Sequence, residues 1–91
     1  MKAKQFIGPF SAGQSIDLGL SGVTYVQIGI EHPHSIPISE SAPTVILSIN
    51  NTDYCITEKD ILEFEQLDLD QLSITVQEAN NPYFIIDIAY E

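Results

Sequence analysis

Hydrophobic and polar residues alternate along the second half of the chain. Leu72, Ile74 and Val76 are separated by polar residues, and after turn residues at 79–82 the alternation resumes over 83–90. A period of two is typical of a half-buried β-strand, because successive side chains point to opposite faces. The opposite face of the last segment is itself half apolar. We therefore expect the last strand to be covered on both faces.

The same pattern recurs along the whole chain, where short apolar stretches are separated by turn signals about every 8–12 residues. The length of 91 residues is that of one domain, 1–91, without an internal repeat. We predict an all-β fold, a small antiparallel β-sandwich of about seven or eight short strands. A jelly-roll-like and an immunoglobulin-like topology both fit this pattern.

Several local features predict details of this sandwich. Residues 50–53 predict a hairpin turn, and Gly29 within a strand predicts a bulge or a close backbone approach. Residues 61–69 fit either a short helix or strand, and we favour strand. Pro9 confines the first strand to a sheet edge or a strand end, and we also take the last strand as a candidate edge.

The segment 31–44 is the least regular part of the chain. It contains Pro33, Pro37 and Pro43, which exclude a helix and a central strand. We expect an extended loop, and a loop this long in a small domain is a common place for function.

The net charge of −10 comes from thirteen carboxylates and only three lysines, with no arginine. Binding to phosphates needs clustered Lys and Arg, so we predict no nucleic-acid partner. No apolar run approaches the roughly 20 residues of a membrane span, so we predict no membrane insertion. Gly8 and Pro9 interrupt the apolar residues that follow the N-terminal lysines, and we therefore expect no signal peptide and a cytosolic product.

Cys55 is the only cysteine, so no intrachain disulfide can form. A catalytic thiol needs a nearby base, and nothing in the sequence brings His32 or His34 to it. We expect Cys55 to be an ordinary strand residue, and we expect the protein not to be an enzyme.

Two groups of residues are candidate metal ligands. His32 and His34 form a His-x-His pattern, which can present two imidazoles to one ion. Asp68 and Asp70 belong to the densest acidic stretch, which also suits calcium, although the EF-hand pattern is absent. We favour a solvated loop for the histidines and a polar strand face for the aspartates. We predict no metal and no cofactor.

The tail carries the motifs Ile61-Leu62-Glu63-Phe64-Glu65, Leu67-Asp68-Leu69 and Leu72-Ser73-Ile74, and a final strand that ends Ile-Asp-Ile-Ala-Tyr-Glu. Over about the last third of the chain, this pattern resembles the C-termini of small structural proteins of tailed phages and prophages. The resemblance implies a virion- or tail-associated β-sandwich that acts as a repeated building block. It also implies a location in the host cytoplasm during assembly and then in the virion.

We therefore expect a structural assembly module that forms homo-oligomers and contacts other virion proteins. Without arginine, an interface would depend on aromatic and aliphatic side chains and on edge-strand backbone. The candidate interface residues are Phe6, Phe10, Tyr83, Ile85 and Tyr90. The alternative is a module that binds a cell-surface glycan or protein through the 31–44 loop.

Overall fold

Eight β-strands follow one another in the computed structural model, which describes residues 2–19, 22–32, 43–65 and 73–91. The strands are β1 (Lys2–Ile7), β2 (Gln14–Ile16), β3 (Tyr25–Glu31), β4 (Thr44–Ile49), β5 (Thr52–Thr57), β6 (Ile61–Glu65), β7 (Ile74–Ala79) and β8 (Ile85–Tyr90). The described residues include no helix long and apolar enough to cross a membrane.

The strands form two antiparallel sheets of four, in the orders β1-β8-β3-β6 and β2-β7-β4-β5. The prediction of a small antiparallel β-sandwich is therefore confirmed. The hydrogen-bonded neighbours include β1 with β8, β2 with β7, β3 with β6 and β4 with β5. The chain thus folds as one long hairpin rolled into two sheets. This is the jelly-roll topology, which decides between the two topologies that fit the sequence.

The core lies between the sheets and is built from alternate residues of the strands. In β3, Val26, Ile28 and Ile30 are buried and their neighbours are half-buried, as period-two alternation requires. No polar or charged side chain is buried among the described residues. Burial of this apolar surface contributes about 25 cal/mol per Å² and is the main stabilising term of the fold. The remaining core members include Val45, Leu47, Ile49, Ile56, Ile74, Val76, Phe84, Ile86 and Ile88.

One end of the core is closed by the segment that follows β1. The Gly8–Pro9 peptide bond is cis, and the backbone N–H of Phe10 donates to the carbonyl of Pro82 at 2.9 Å. The Phe10 ring then packs against Phe84, with ring centroids 4.6 Å apart. Only 7% of Phe10 is exposed. Phe10 is therefore a core residue, although the sequence placed it among the candidate interface residues.

The hairpin between β4 and β5 is formed as predicted. Asn50 and Asn51 have φ angles of 49° and 68°, and Ile49 pairs with Thr52 across a two-residue loop. Positive φ at both loop residues is the type I′ turn, which suits the twist of paired strands and which asparagine tolerates. Asn50 also accepts a hydrogen bond from the N–H of Ser73 through its side chain at 3.1 Å.

Gly29 was expected to mark a bulge or a close backbone approach, and it forms no bulge, because it pairs regularly with Asp87 on one side and with Ile61 on the other. The nearest backbone atom to a Cβ at this position would be the Asp60 carbonyl oxygen, at 3.8 Å. The register shift lies instead between Ile46 and Leu47, against β7. A glycine in a strand weakens packing without forcing a bulge, so its presence alone did not locate one.

The strand assignment of 61–69 is confirmed for Ile61–Glu65, and residues 66–69 lie outside the described ranges. The first strand is at a sheet edge, as Pro9 predicted. The prediction that the last strand is an edge is wrong, because β8 lies between β1 and β3 and pairs with both. Its two apolar faces are consistent with this central position, and Ile85 and Ile86 are both buried.

Candidate functional site

The outer face of the β1-β8-β3-β6 sheet has small residues at its centre. The register places Ala3 opposite Ala89, and it places Asp87 between Gln5 and Gly29. Alanine and glycine cover little of the sheet, so an open hollow of about 790 Å³ lies over them. We call this surface the outer hollow, with Ala3, Gly29 and Ala89 as its floor.

Amide and carboxylate side chains form the rim of the outer hollow. The Gln5 amide donates to the Asp87 carboxylate at 2.8 Å and to the Glu31 carboxylate at 3.4 Å. The Gln27 amide donates to the Glu63 carboxylate at 3.2 Å. The Gln5–Asp87 and Gln27–Glu63 bonds join neighbouring strands, whereas the Gln5–Glu31 bond reaches from β1 across β8 to β3. All three are exposed to solvent, so each contributes little to stability. The bonds nevertheless hold the carboxylates in place around the floor.

His32 lies at one end of the outer hollow, beside the turn that leads into β6. Its Nδ1 atom is 2.7 Å from Oε1 of Glu58, and both side chains are partly exposed. The turn itself is held by Asp60, whose carboxylate accepts a hydrogen bond from the backbone N–H of Thr57 at 2.8 Å. His32 therefore contributes a contact between the end of β3 and this turn.

Of the candidate metal ligands, His32 is among the described residues. His34, Asp68 and Asp70 lie outside the described residues, as do residues 33–42 of the proline-rich loop. Within the described ranges, no group of three or more His, Cys, Asp or Glu side chains could hold a metal ion. His32 is held by Glu58, and the described residues bring no further ligand to it.

Negative charge is concentrated near the β3–β6 side of this sheet. Partial burial raises the pKa of Tyr25, and the neighbouring carboxylates of Glu63 and Glu65 raise it further because they disfavour the phenolate. A hydrogen bond from Gln27 acts in the opposite direction. The raised pKa of Tyr25 therefore reflects in part the negative charge of the glutamates beside it.

The two edge strands of this sheet, β1 and β6, each expose one large apolar residue. Ile7 is 68% exposed and Ile61 is 64% exposed, the two highest values among the described large hydrophobic residues. Both side chains point to the outer face, because each lies in register with other outer-face residues. The inward neighbours of these residues, Phe6 and Leu62, pack against the core.

The edges differ in charge. β1 carries Lys2 and Lys4, and the Lys4 ammonium donates to the carbonyl of Leu18 at 2.8 Å. β6 carries Glu63 and Glu65 and no basic residue. The sheet is therefore positive along one edge and negative along the other.

The remaining candidate interface residues are in different environments. Tyr83 is 51% exposed and precedes β8. Phe6 and Tyr90 are half-buried and pack against the core. Ile85 is buried, with 7% exposed, and it is not part of the main core cluster. Their role in an interface stays a prediction, and Tyr83 has the most accessible side chain.

The outer face of the second sheet is richer in hydroxyl groups. The Ser15 and Thr75 hydroxyls lie 3.2 Å apart, and Thr75 is opposite Ser48 in the next strand. Cys55 lies on β5 at the edge of this sheet, where it is exposed and opposite Ile46.

Sequence reasoning did not single out Ile7 and Ile61, although a signal was present. Each stands next to another large apolar residue, in the pairs Phe6-Ile7 and Ile61-Leu62. In a strand, two consecutive apolar residues must point to opposite faces, so one of them leaves the core when only one face is covered.

No family model, no curated protein and no solved structure matches this chain.

Proposed function

We propose that this protein is a non-enzymatic structural module that assembles with copies of itself, as a virion- or tail-associated protein of a tailed phage or prophage. The observation that carries the self-association is the exposure of Ile7 and Ile61 on the two edge strands of one sheet. Full burial of an isoleucine side chain contributes about 1.5–3 kcal/mol. Association that covers both residues would recover this free energy.

The architecture supports the same proposal. Jelly-roll sandwiches occur as building blocks of viral capsids, and also as lectin and cupin domains. A fold is compatible with many functions, so the fold supports a structural role without determining it. The proposal that this is a phage or prophage protein rests on the resemblance of residues 61–91 to the C-termini of phage structural proteins.

Light scattering behind a sizing column, across a range of concentrations, tests the proposal. We expect a species with a mass that is a multiple of the 10.1 kDa chain and that persists on dilution. Ile7→Ser and Ile61→Ser should each weaken association by about 10–100-fold, because each removes one buried isoleucine.

Ile46→Ser is the matched control, since Ile46 is a half-buried isoleucine of β4 in the other sheet, away from the two edge strands. It should leave the mass unchanged. A wild-type protein that remains a monomer at all concentrations would contradict the proposal.

A further inference from the structure

The strand directions allow the β1-β8-β3-β6 sheet to continue from one copy into the next. Every neighbouring pair in this sheet is antiparallel, so β1 runs in the same direction as β3 and opposite to β6. Placing β6 of one copy beside β1 of another therefore creates an antiparallel pair of the same kind as those within the sheet. Among the described residues, each of these strands has one hydrogen-bonded neighbour, so its other side is open to such pairing.

Charge selects this pairing over the two alternatives. A β1–β1 contact would bring together Lys2 and Lys4 from both copies, and a β6–β6 contact would bring together Glu63 and Glu65 from both copies. Like charges on facing strands are destabilising. Pairing β6 with β1 avoids both contacts, because the lysines of β1 are at inward positions and the glutamates of β6 are at outward positions, on opposite faces of the continued sheet.

The net charge of each copy does not prevent this contact. Copies with a charge of −10 repel each other at a distance, but salt at physiological concentration screens such repulsion beyond about 8 Å. β1 carries no carboxylate, so the contact with β6 brings no pair of like charges together.

The exposed isoleucines then determine the register. When Ile61 is placed opposite Ile7, the antiparallel sequence of positions places Leu62 opposite Phe6 and Glu63 opposite Gln5. All three pairs join residues on the same face, because Ile7 and Ile61 both point outward while Phe6 and Leu62 both pack inward. Two pairs are apolar and the third joins an amide to a carboxylate, as already occurs between Gln27 and Glu63.

From these observations we propose that the copies assemble by antiparallel pairing of β6 of one copy with β1 of the next, with Ile61 opposite Ile7. This pairing rests on the self-association proposed above and specifies its surface and its partner, a second copy of this chain. The two surfaces in contact are different, so the interface is heterologous and generates a ring or an open filament rather than a two-fold dimer.

Disulfide cross-linking tests the register directly. Ile7→Cys and Ile61→Cys are made in separate chains, each with Cys55→Ser to remove the native thiol, and the two proteins are mixed and oxidised. Residues directly opposite in an antiparallel pair have Cα atoms about 4.5–5.5 Å apart, within the range of disulfides. We expect a covalent dimer in the mixture and little in either variant alone.

The wild-type chain, whose exposed Cys55 lies on β5 of the other sheet, replaces the Ile7→Cys chain as the control for random collision, and it should not cross-link. If the wild type is oligomeric by light scattering but the Ile7→Cys and Ile61→Cys mixture does not cross-link, the proposed pairing is wrong while the self-association stands. If the wild type is monomeric, both are wrong.

Discussion

The structure predicts opposite effects on stability when Gly29 and Gly8 are each replaced by alanine. A Cβ atom at Gly29 would have the carbonyl oxygen of Asp60 as its nearest neighbour, at 3.8 Å, an ordinary van der Waals contact. A Cβ atom at Gly8 would lie 2.7 Å from the carbonyl oxygen of Pro82 and 3.0 Å from that of Phe84. Alanine therefore fits at Gly29 and requires backbone movement at Gly8.

The size of each effect follows from these contacts. Where the backbone conformation suits alanine, replacement of glycine stabilises by about 0.4–1 kcal/mol, because the unfolded chain loses conformational freedom. For a domain of this length, Gly29→Ala should raise the melting temperature by about 2–8 °C. Gly8→Ala should lower the free energy of unfolding by about 1–3 kcal/mol, the usual cost of forcing extra atoms into a packed site.

Thermal and urea unfolding of the two variants, followed by circular dichroism, measure both values. Gly29 is half-buried in the floor of the outer hollow, so the comparison also tests whether that floor has room for a Cβ atom. A Gly29→Ala variant that melts below the wild type would refute this reasoning. So would a Gly8→Ala variant with unchanged stability, because it would place the Pro82 carbonyl farther away.

Three further predictions concern the turn, the core and the pH dependence. Asn51→Ala should destabilise by about 1 kcal/mol because its φ is positive, whereas Asn51→Gly should be tolerated; equal losses in urea unfolding would contradict the type I′ turn. Phe84→Ala should cost about 3–5 kcal/mol by emptying the site against Phe10, and a loss below 1 kcal/mol would contradict its central position. The raised pKa of Tyr25 means that the unfolded chain ionises first at high pH, so stability present below about pH 10 should be lost as the pH rises further. Tyr25→Phe should reduce this loss, and an unchanged slope of unfolding free energy above pH 10 would contradict the assignment.

The sequence predicted the strands well because their signal is local. The alternation of Val26, Ile28 and Ile30 with half-buried neighbours is visible over seven residues, and the Asn50–Asn51 turn is visible over two. Strand order is not local in this sense. Ile28 pairs with Leu62 on one side and with Ile88 on the other, and no short window contains these partners.

The same distinction explains the placements that the sequence did not predict. Phe10 was expected at an interface, but the backbone bond to Pro82 turns it into the core against Phe84, which is distant in the chain. β8 was expected at an edge because it is the last strand, but a jelly roll places its last strand between its first and third. The outer hollow depends on which strands are neighbours, so its floor of Ala3, Gly29 and Ala89 could not be derived from spacing.

The mass of the assembled protein in native mass spectrometry, recorded at increasing concentration, tests the central claim most directly. Pairing between unlike edges predicts that growth continues beyond two copies, either to a closed ring with a single copy number of three or more or to an open series of larger species. A spectrum that ends at two copies at saturating concentration would contradict heterologous pairing of β1 with β6. A spectrum that shows only the single chain would contradict self-assembly itself.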